Sequence, residues 1–406
     1  MHTLTQFITP EQVLTMRAPL AKAKTLPSVA FTSAEFFELE RDRIFSRHWS
    51  ALCFEQQAAQ PGDLLPLEFC GMPLLLVRDE EGVLRVFHNI VPYDGCLAVI
   101  EPQQAQAEIT TPYHGWRYDL CGKLLEIPFW TGIESGDLSA LGERCGELIE
   151  ISSHIELGMV LIDLSGSAGT VDPQLDPLRK LLTEYHSEAL DIGRDENGDP
   201  LIDTEDLATN WKTHYENWAL NVLHEAFTHE IYAESPQIPR VNTDGEKTYV
   251  EHIDGGFMAL VYREQDFAET YQLEDLPFPT IGLDPAVAPE HSFIGSLFPN
   301  VHMAVFPTFI HLIIALPVSA GQTRTLRAQF YAPEAAADAD CLEDRLVVMA
   351  DFQQAGLEDG RITEAVQQAR KSPVCQQQFY SPFWDNMHYT FSNIVLSALE
   401  QVDNQP

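Results

Sequence analysis

The chain has 406 residues, 45% of them hydrophobic and 10% aromatic, a globular composition long enough to bury a sizeable core in two ordinary domains or one large one. Asp and Glu number 61 against 24 Lys and Arg, for a formal net charge of −37. Such a surface repels phosphate backbones and anionic lipid, which excludes nucleic acid and membrane surfaces as partners; it serves solubility and suits basic proteins and cationic small molecules.

The opening MHTLTQFITPEQ has neither a basic stretch nor an apolar one, so no signal peptide is expected. Residues 34–49, AEFFELERDRIFSRHW, repeat Phe36, Phe37, Leu39, Ile44 and Phe45 at roughly helical spacing and predict an amphipathic helix. From about 50 to 165 the pattern turns to short alternating runs (LLPLEF, MPLLLVRD, LRVFHNI, GKLLEIP, IELGMVLIDL) separated by PGD, DEEG and CG turns, a small antiparallel β domain. Residues 170–232 return to helical periodicity, with Trp211, Tyr215, Trp218 and Leu223 on one stripe. Strand-like runs fill 246–332, and helices are expected at about 338–370 and 388–401. The longest apolar run, FIHLIIALPV at 309–318, is too short to span a bilayer. The seven cysteines (53, 70, 96, 121, 145, 341 and 375) are scattered singly, without CxxC or CxH spacing, as expected of reduced thiols in a cytoplasmic protein. The class predicted is α+β, with strands and helices on a scale that suggests one antiparallel sheet flanked by helices in the larger part and a boundary near SGSAGT at 165–170.

Two stretches carry chemistry. The first contains Val91-Pro92-Tyr93-Asp94-Gly95 and Thr111-Pro112-Tyr113-His114-Gly115-Trp116. The second, NWKTHYENWALNVLHEAFTHE at 210–230, places His224 and His229 five residues apart. A regular helix sets such residues about 140° apart, so one metal ion could be shared only across a bend or a broken turn.

Together these stretches resemble the large (α) subunit of the Rieske non-haem iron oxygenases, and the resemblance runs over nearly the whole chain, from FTSAEFFELERDRIFSRHW to KSPVCQQQFYSPFWDNMHYTF. It implies a small antiparallel β Rieske-like domain (51–165), a helix-grip-like catalytic domain (166–406) and an N-terminal helical segment (1–50) packed on the latter. In that family a [2Fe–2S] cluster is held by Cys-x-His on one loop and Cys-x-Tyr-His on another. The four matching positions here hold Val91, Tyr93, Thr111 and His114, so only one ligand is kept and the cluster is expected to be absent. A different metal site built from Cys96, His114 and Cys121 is an open alternative.

The family's mononuclear Fe(II) is bound by two histidines and one carboxylate. Asn210-Trp211-Lys212, Glu216-Asn217, His224 and His229 match its pattern, and Glu358-Asp359 followed by Gln367 makes Asp359 the implied third ligand, with Glu358 expected to point away. Asn217 belongs to the same implied site. Asn221 stands where the family has the acidic residue that couples this iron to a neighbouring subunit's cluster; an amide carries no charge and takes up no proton. Three roles follow from the resemblance. The chain could be a companion subunit in a trimer or hexamer with a cluster-bearing homologue, a self-sufficient mononuclear iron enzyme, or a non-catalytic scaffold. Trp211, Tyr215, Trp218, Tyr249, Tyr262, Phe309 and Trp384 could line a pocket for a cationic substrate such as an alkylammonium compound, although their spacing equally suits a core.

Overall fold

A computed structural model describes residues 2–134, 136–218, 220, 222–230, 241–242, 244–263, 276–284, 287 and 289–400. The chain divides into two units, residues 51–169 and residues 1–50 with 170–406.

The smaller unit is built on nine short strands: β1 (Ser50–Phe54), β2 (Leu64–Phe69), β3 (Met72–Arg78), β4 (Leu84–His88), β5 (Ile109–Thr110), β6 (Arg117–Tyr118), β7 (Leu124–Glu126), β8 (Glu150–Glu156) and β9 (Met159–Asp163). Six of them form one sheet in the order β1-β9-β8-β4-β3-β2, and β5-β6-β7 form a second. The inward residues Leu75, Val77, Phe87, Ile109, Trp116 and Tyr118 meet in one core that also takes in Val91. Each fully buried side chain of this kind stabilises the fold by roughly 1.5–3 kcal/mol.

The larger unit carries β10 (Asp191–Ile192), β11 (Asp203–Leu207), β12 (Tyr249–Asp254), β13 (Phe257–Arg263), β14 (His291–Leu297), β15 (Val301–Val305), β16 (Phe309–Ser319) and β17 (Gln322–Tyr331). They make one antiparallel sheet in the order β10-β17-β16-β15-β14-β13-β12, with β11 also on β17. The central strands are buried at almost every position because both faces are covered, which is why 309–318 reads as a continuous apolar run instead of an alternating one. The 29-residue helix Leu342–Arg370 is about 43 Å long at 1.5 Å per residue and packs along the helix Trp211–Trp218. The last helix spans Asn386–Glu400. No helix among the described residues is long and apolar enough to cross a membrane.

Two expectations need correction. Residues 34–49 are not one regular helix: the α-helix Ala34–Glu40, capped by Ser33 on the Phe36 N–H, widens into a π turn over Arg41–Phe45. The stretch 170–232 is not helical throughout, since it contains β10 and β11. The sequence of β11, DTEDL, hides a strand from any apolar-periodicity reading because two of its acidic residues pair with arginines on β17. Asp206 faces Arg324 in register, with the Arg324 Nε 2.7 Å from Asp206 Oδ1, and Asp203 faces Arg327.

Candidate metal centre

The helix Trp211–Trp218 begins at Asn210, whose side-chain oxygen accepts the Lys212 N–H at 3.0 Å. The same residue donates its amide to the Ala320 carbonyl at 2.8 Å, and its own N–H bonds the Gln367 side chain at 3.2 Å. Trp211 and Lys212 both reach Glu40: the indole N–H lies 3.1 Å and the ammonium 2.5 Å from its two oxygens, with the ammonium and carboxyl groups fully buried. The Asn-Trp-Lys residues and Gln367 are therefore scaffold, and they fix the helix that presents Asn217 to the helix that presents Asp359.

Beyond this helix the chain makes a 3-10 turn at Val222–His224 and a single α turn at Glu225–Thr228. It then leaves helical geometry at His229, with φ −91° and ψ 123°. This break is what brings together two histidines that a continuous helix would hold apart. His224 Nε2 and His229 Nε2 each stand 3.5 Å from Asp359 Oδ1, and one ligand atom from each of the three residues lies within 4.8 Å of the others. Asp359 Oδ1 is buried and makes no hydrogen bond of good geometry among the described residues. Two donor atoms that share one ion at ~2.1 Å stand roughly 3–3.5 Å apart, so this set fits a divalent metal. Burial works to raise the Asp359 carboxyl; His224, then His229 and the Asn217 side chain, outweigh it and hold the group below the ordinary carboxylate range. Glu358, expected to point away, instead places Oε2 2.9 Å from His229 Nδ1. Asn221, at the position of the family's acidic link, lies outside the described residues.

A cavity of about 40 Å³ adjoins the carboxylate, lined among others by His214, Asn217, Trp218, His311, Phe352 and Asp359. His311 stacks on Phe352 at 3.8 Å and 12°, with its Nδ1 3.0 Å from Gln329 Nε2. Burial pushes His311 down to about 3 and His214 to about 4, so both are neutral imidazoles at ordinary pH. Arg327 also faces this cavity, its charge met by Asp203 at 3.2 Å and by Glu205. Of the aromatics considered as pocket candidates, Trp218 lines the cavity, whereas Trp211, Tyr215, Tyr249, Tyr262 and Phe309 are core. Trp384 packs on Phe383. His311, Phe352 and Arg327 carry no spacing signal, because they come from three separate elements. On the other side of Asn217 an open groove of about 410 Å³ is bounded by His224, Phe227, Glu216, Arg370 and His388.

The two loops of the smaller unit keep matching backbones. In each, the first position donates to the carbonyl five residues on (Val91 to Cys96, Thr111 to Trp116, both 2.8 Å). In each, the glycine N–H returns to that first position's carbonyl (Gly95 to Val91, 3.0 Å; Gly115 to Thr111, 3.2 Å). Gly95 and Gly115 both have positive φ, which a glycine adopts without strain. Val91 is 1% exposed in the core, and Thr111 is buried with an unpartnered hydroxyl. Tyr93 stacks on Trp116 at 5.1 Å and 5°, and His114 Nδ1 lies 2.5 Å from Asp94 Oδ2. Cys96, His114 and Cys121 do not form a metal-ligand group among the described residues; the Cys121 thiol lies beside Asp79, 3.9 Å away.

A β-rich Rieske-type unit and an antiparallel sheet covered by helices, with two histidines and a carboxylate brought together on those helices and turns, define the architecture of a non-haem iron oxygenase large subunit. The model of the ring-hydroxylating alpha subunit catalytic domain matches residues 182–401, and that of the Rieske [2Fe–2S] domain matches 48–141. The chain belongs to the ring-hydroxylating alpha-subunit family. The carnitine monooxygenase oxygenase subunit of Acinetobacter pittii is 28% identical over 218 residues, 54% of this chain and 56% of the relative. The chloroplastic choline monooxygenase of Amaranthus tricolor is 26% identical over 245 residues, 58% and 52% of the two chains. The chain thus spans about half the length of these relatives. In fold, it is similar to a quaternary ammonium Rieske monooxygenase in complex with L-carnitine, with a TM-score of 0.73 at 20% identity over 98% of this chain and 99% of the other. A naphthalene 1,2-dioxygenase variant bound to phenanthrene aligns with a TM-score of 0.71 at 16% identity over 95% of each chain.

Proposed function

We propose that the chain is a Rieske oxygenase alpha-subunit-type protein that keeps a mononuclear Fe(II) site at His224, His229 and Asp359, has lost its [2Fe–2S] cluster, and works as the companion of a cluster-bearing homologue in a hetero-trimer or hexamer. The observation that carries this reading is the contrast between the two sites. One gathers three ligand atoms within 4.8 Å. The other offers a buried hydrocarbon, a phenol stacked on Trp116, a hydroxyl, and an imidazole whose Nδ1 is occupied by Asp94. That donor set does not fit a [2Fe–2S] cluster, which needs two thiolates on one iron and two imidazoles on the other. The strands, turns and core of the smaller unit support its likeness to a Rieske domain without supplying those ligands.

When bound, Fe(II) at such a triad supplies redox chemistry toward O2 and substrate at the coordination positions the three ligands leave open. The chain's own residues do the rest. Asn217 steadies the Asp359 carboxylate. Trp218, whose indole N–H is fixed on the Gly295 carbonyl at 3.1 Å, and the His311–Phe352 stack give the cavity aromatic walls. A quaternary ammonium substrate suits the acidity of the chain and aromatic side chains near the triad. Carnitine and choline are named for the monooxygenases to which the chain is similar, and quaternary ammonium for a structure it resembles in fold.

Iron and acid-labile sulfide are to be measured on the chain purified alone without oxygen, followed by turnover of carnitine, choline and glycine betaine with and without a cluster-bearing homologue and its reductase. About one iron, no sulfide and turnover only in the mixture is the expected result. Sulfide equal to two per chain overturns the cluster loss. Turnover by the pure chain without a reductase replaces the companion role by that of a self-sufficient iron enzyme, and failure to take up metal at all leaves a scaffold.

A further inference from the structure

Glu358 and Asp359 are neighbours on the helix Leu342–Arg370, so their side chains leave it about 100° apart. Both nevertheless reach the 224–230 segment. Asp359 Oδ1 stands 3.5 Å from each imidazole Nε2. Glu358 Oε2 is 2.9 Å from the other ring nitrogen of His229, Nδ1. The Glu358 carboxylate is filled from three directions: it also accepts the Gln354 amide at 2.9 Å on Oε1 and the backbone N–H of Glu230. Its side chain is 14% exposed and that of His229 9%.

A carboxylate only accepts, so the Nδ1 it faces carries the ring proton, and in the neutral ring Nε2, on the Asp359 side, is the nitrogen with a lone pair for a metal. A histidine that binds a metal through one nitrogen and donates the other to a carboxylate has its tautomer and ring plane fixed and its basicity raised. His229 needs such a hold more than His224 does. It sits just past the Glu225–Thr228 turn with φ −91° and ψ 123°, so its own backbone is not held in helical geometry.

We propose that Glu358 is the positioning residue of the metal centre, locking His229 in the Nε2-ligating tautomer and tying residues 229–230 to the helix that carries Asp359. This rests on the reading of His224, His229 and Asp359 as metal ligands. Loss of such a partner costs roughly 10- to 100-fold in metal affinity.

The test is a Co(II) titration of the metal-free full-length chain, read by calorimetry and by the visible Co(II) bands, for wild type, Glu358→Ala, Glu358→Gln, Glu358→Met and Asp359→Ala. The expected pattern is one site in wild type and none in Asp359→Ala. Glu358→Ala should bind 10- to 100-fold more weakly with shifted bands, and Glu358→Gln, which keeps a neutral acceptor, should fall between. Wild-type affinity and bands in folded Glu358→Ala, whatever its melting temperature, would overturn the positioning role while leaving the ligand reading intact. If Glu358→Ala does not fold, wild-type affinity and bands in Glu358→Met, which keeps the length of the side chain but offers the Nδ1 proton only a weak thioether acceptor, overturn it equally. Absence of Co(II) uptake by wild type would overturn both.

Discussion

Asp359 is the point on which both histidines converge, and the three residues come from separate pieces of backbone: a 3-10 turn, the end of a short helix and the middle of a long one. With the three as the proposed iron ligands, removing any of them leaves a two-ligand site. His224→Ala and Asp359→Ala are therefore expected to lower iron from about one per chain to near zero under dialysis, with the fold retained; metal analysis alongside circular dichroism checks this. The neighbouring Glu216 makes a different prediction. It is 8% exposed, 2.7 Å from Arg370 and 3.1 Å from His388. Burial pushes its carboxyl up, but Arg370 and then His388 outweigh that and hold it at about 2, below the ordinary 4.5. A lowered pKa stabilises the fold above the unfolded value, and that contribution, about 3 kcal/mol, is lost as pH falls from about 5 toward 2. Glu216→Gln should be less stable than wild type at pH 7, and the gap between the two in urea titrations should close across that window. A gap that stays constant with pH would mean Glu216 is not held ionised by these partners.

At the scale of elements, the N-terminal helix Ala34–Glu40 and the site helix Trp211–Trp218 are joined by one buried pair, Glu40 with Lys212, and the ammonium also lies over the Phe31 ring at 5.0 Å. Breaking one half of a buried pair strands a charge, so Glu40→Ala should cost roughly 3–5 kcal/mol, whereas Glu40→Met with Lys212→Met should recover most of it. Chemical denaturation of the two variants decides between these outcomes. Much of this region was legible in the sequence. The Asn-Trp-Lys and Glu-Asn spacing falls on the helix Trp211–Trp218, and His224, His229 and Asp359 do meet. What lay out of reach was the reason for the motif. No spacing says that Asn210, Lys212 and Gln367 brace the scaffold, because Gln367 and Glu40 bond them from more than 150 residues away. Glu358 was misjudged for a related cause: helical phase alone sends it away from Asp359, but His229, which it meets, lies outside helical geometry and turns Nδ1 toward it. The strand β11 escaped because charge pairing, not apolar alternation, holds it to β17.

For the whole molecule, the acidic composition was plain from the start, and its physical effect is distributed and not local. Ion pairs occur throughout, but 24 cations cannot match 61 carboxylates, and the excess of 37 negative charges remains spread over one chain. Self-repulsion of that size disfavours the compact state over distances that salt can screen, whereas buried pairs such as Glu40–Lys212 are screened much less. Raising NaCl from about 0.01 M to about 1 M shortens the Debye length from ~30 Å to ~3 Å. The melting temperature at neutral pH should therefore rise with salt, and a non-binding potassium salt should act as sodium does. If instead the melting temperature falls, the surface ion pairs outweigh the repulsion of the excess charge. The same screening should slow the association of a cationic substrate or a basic partner with this chain, since the field that draws them in is the one being screened.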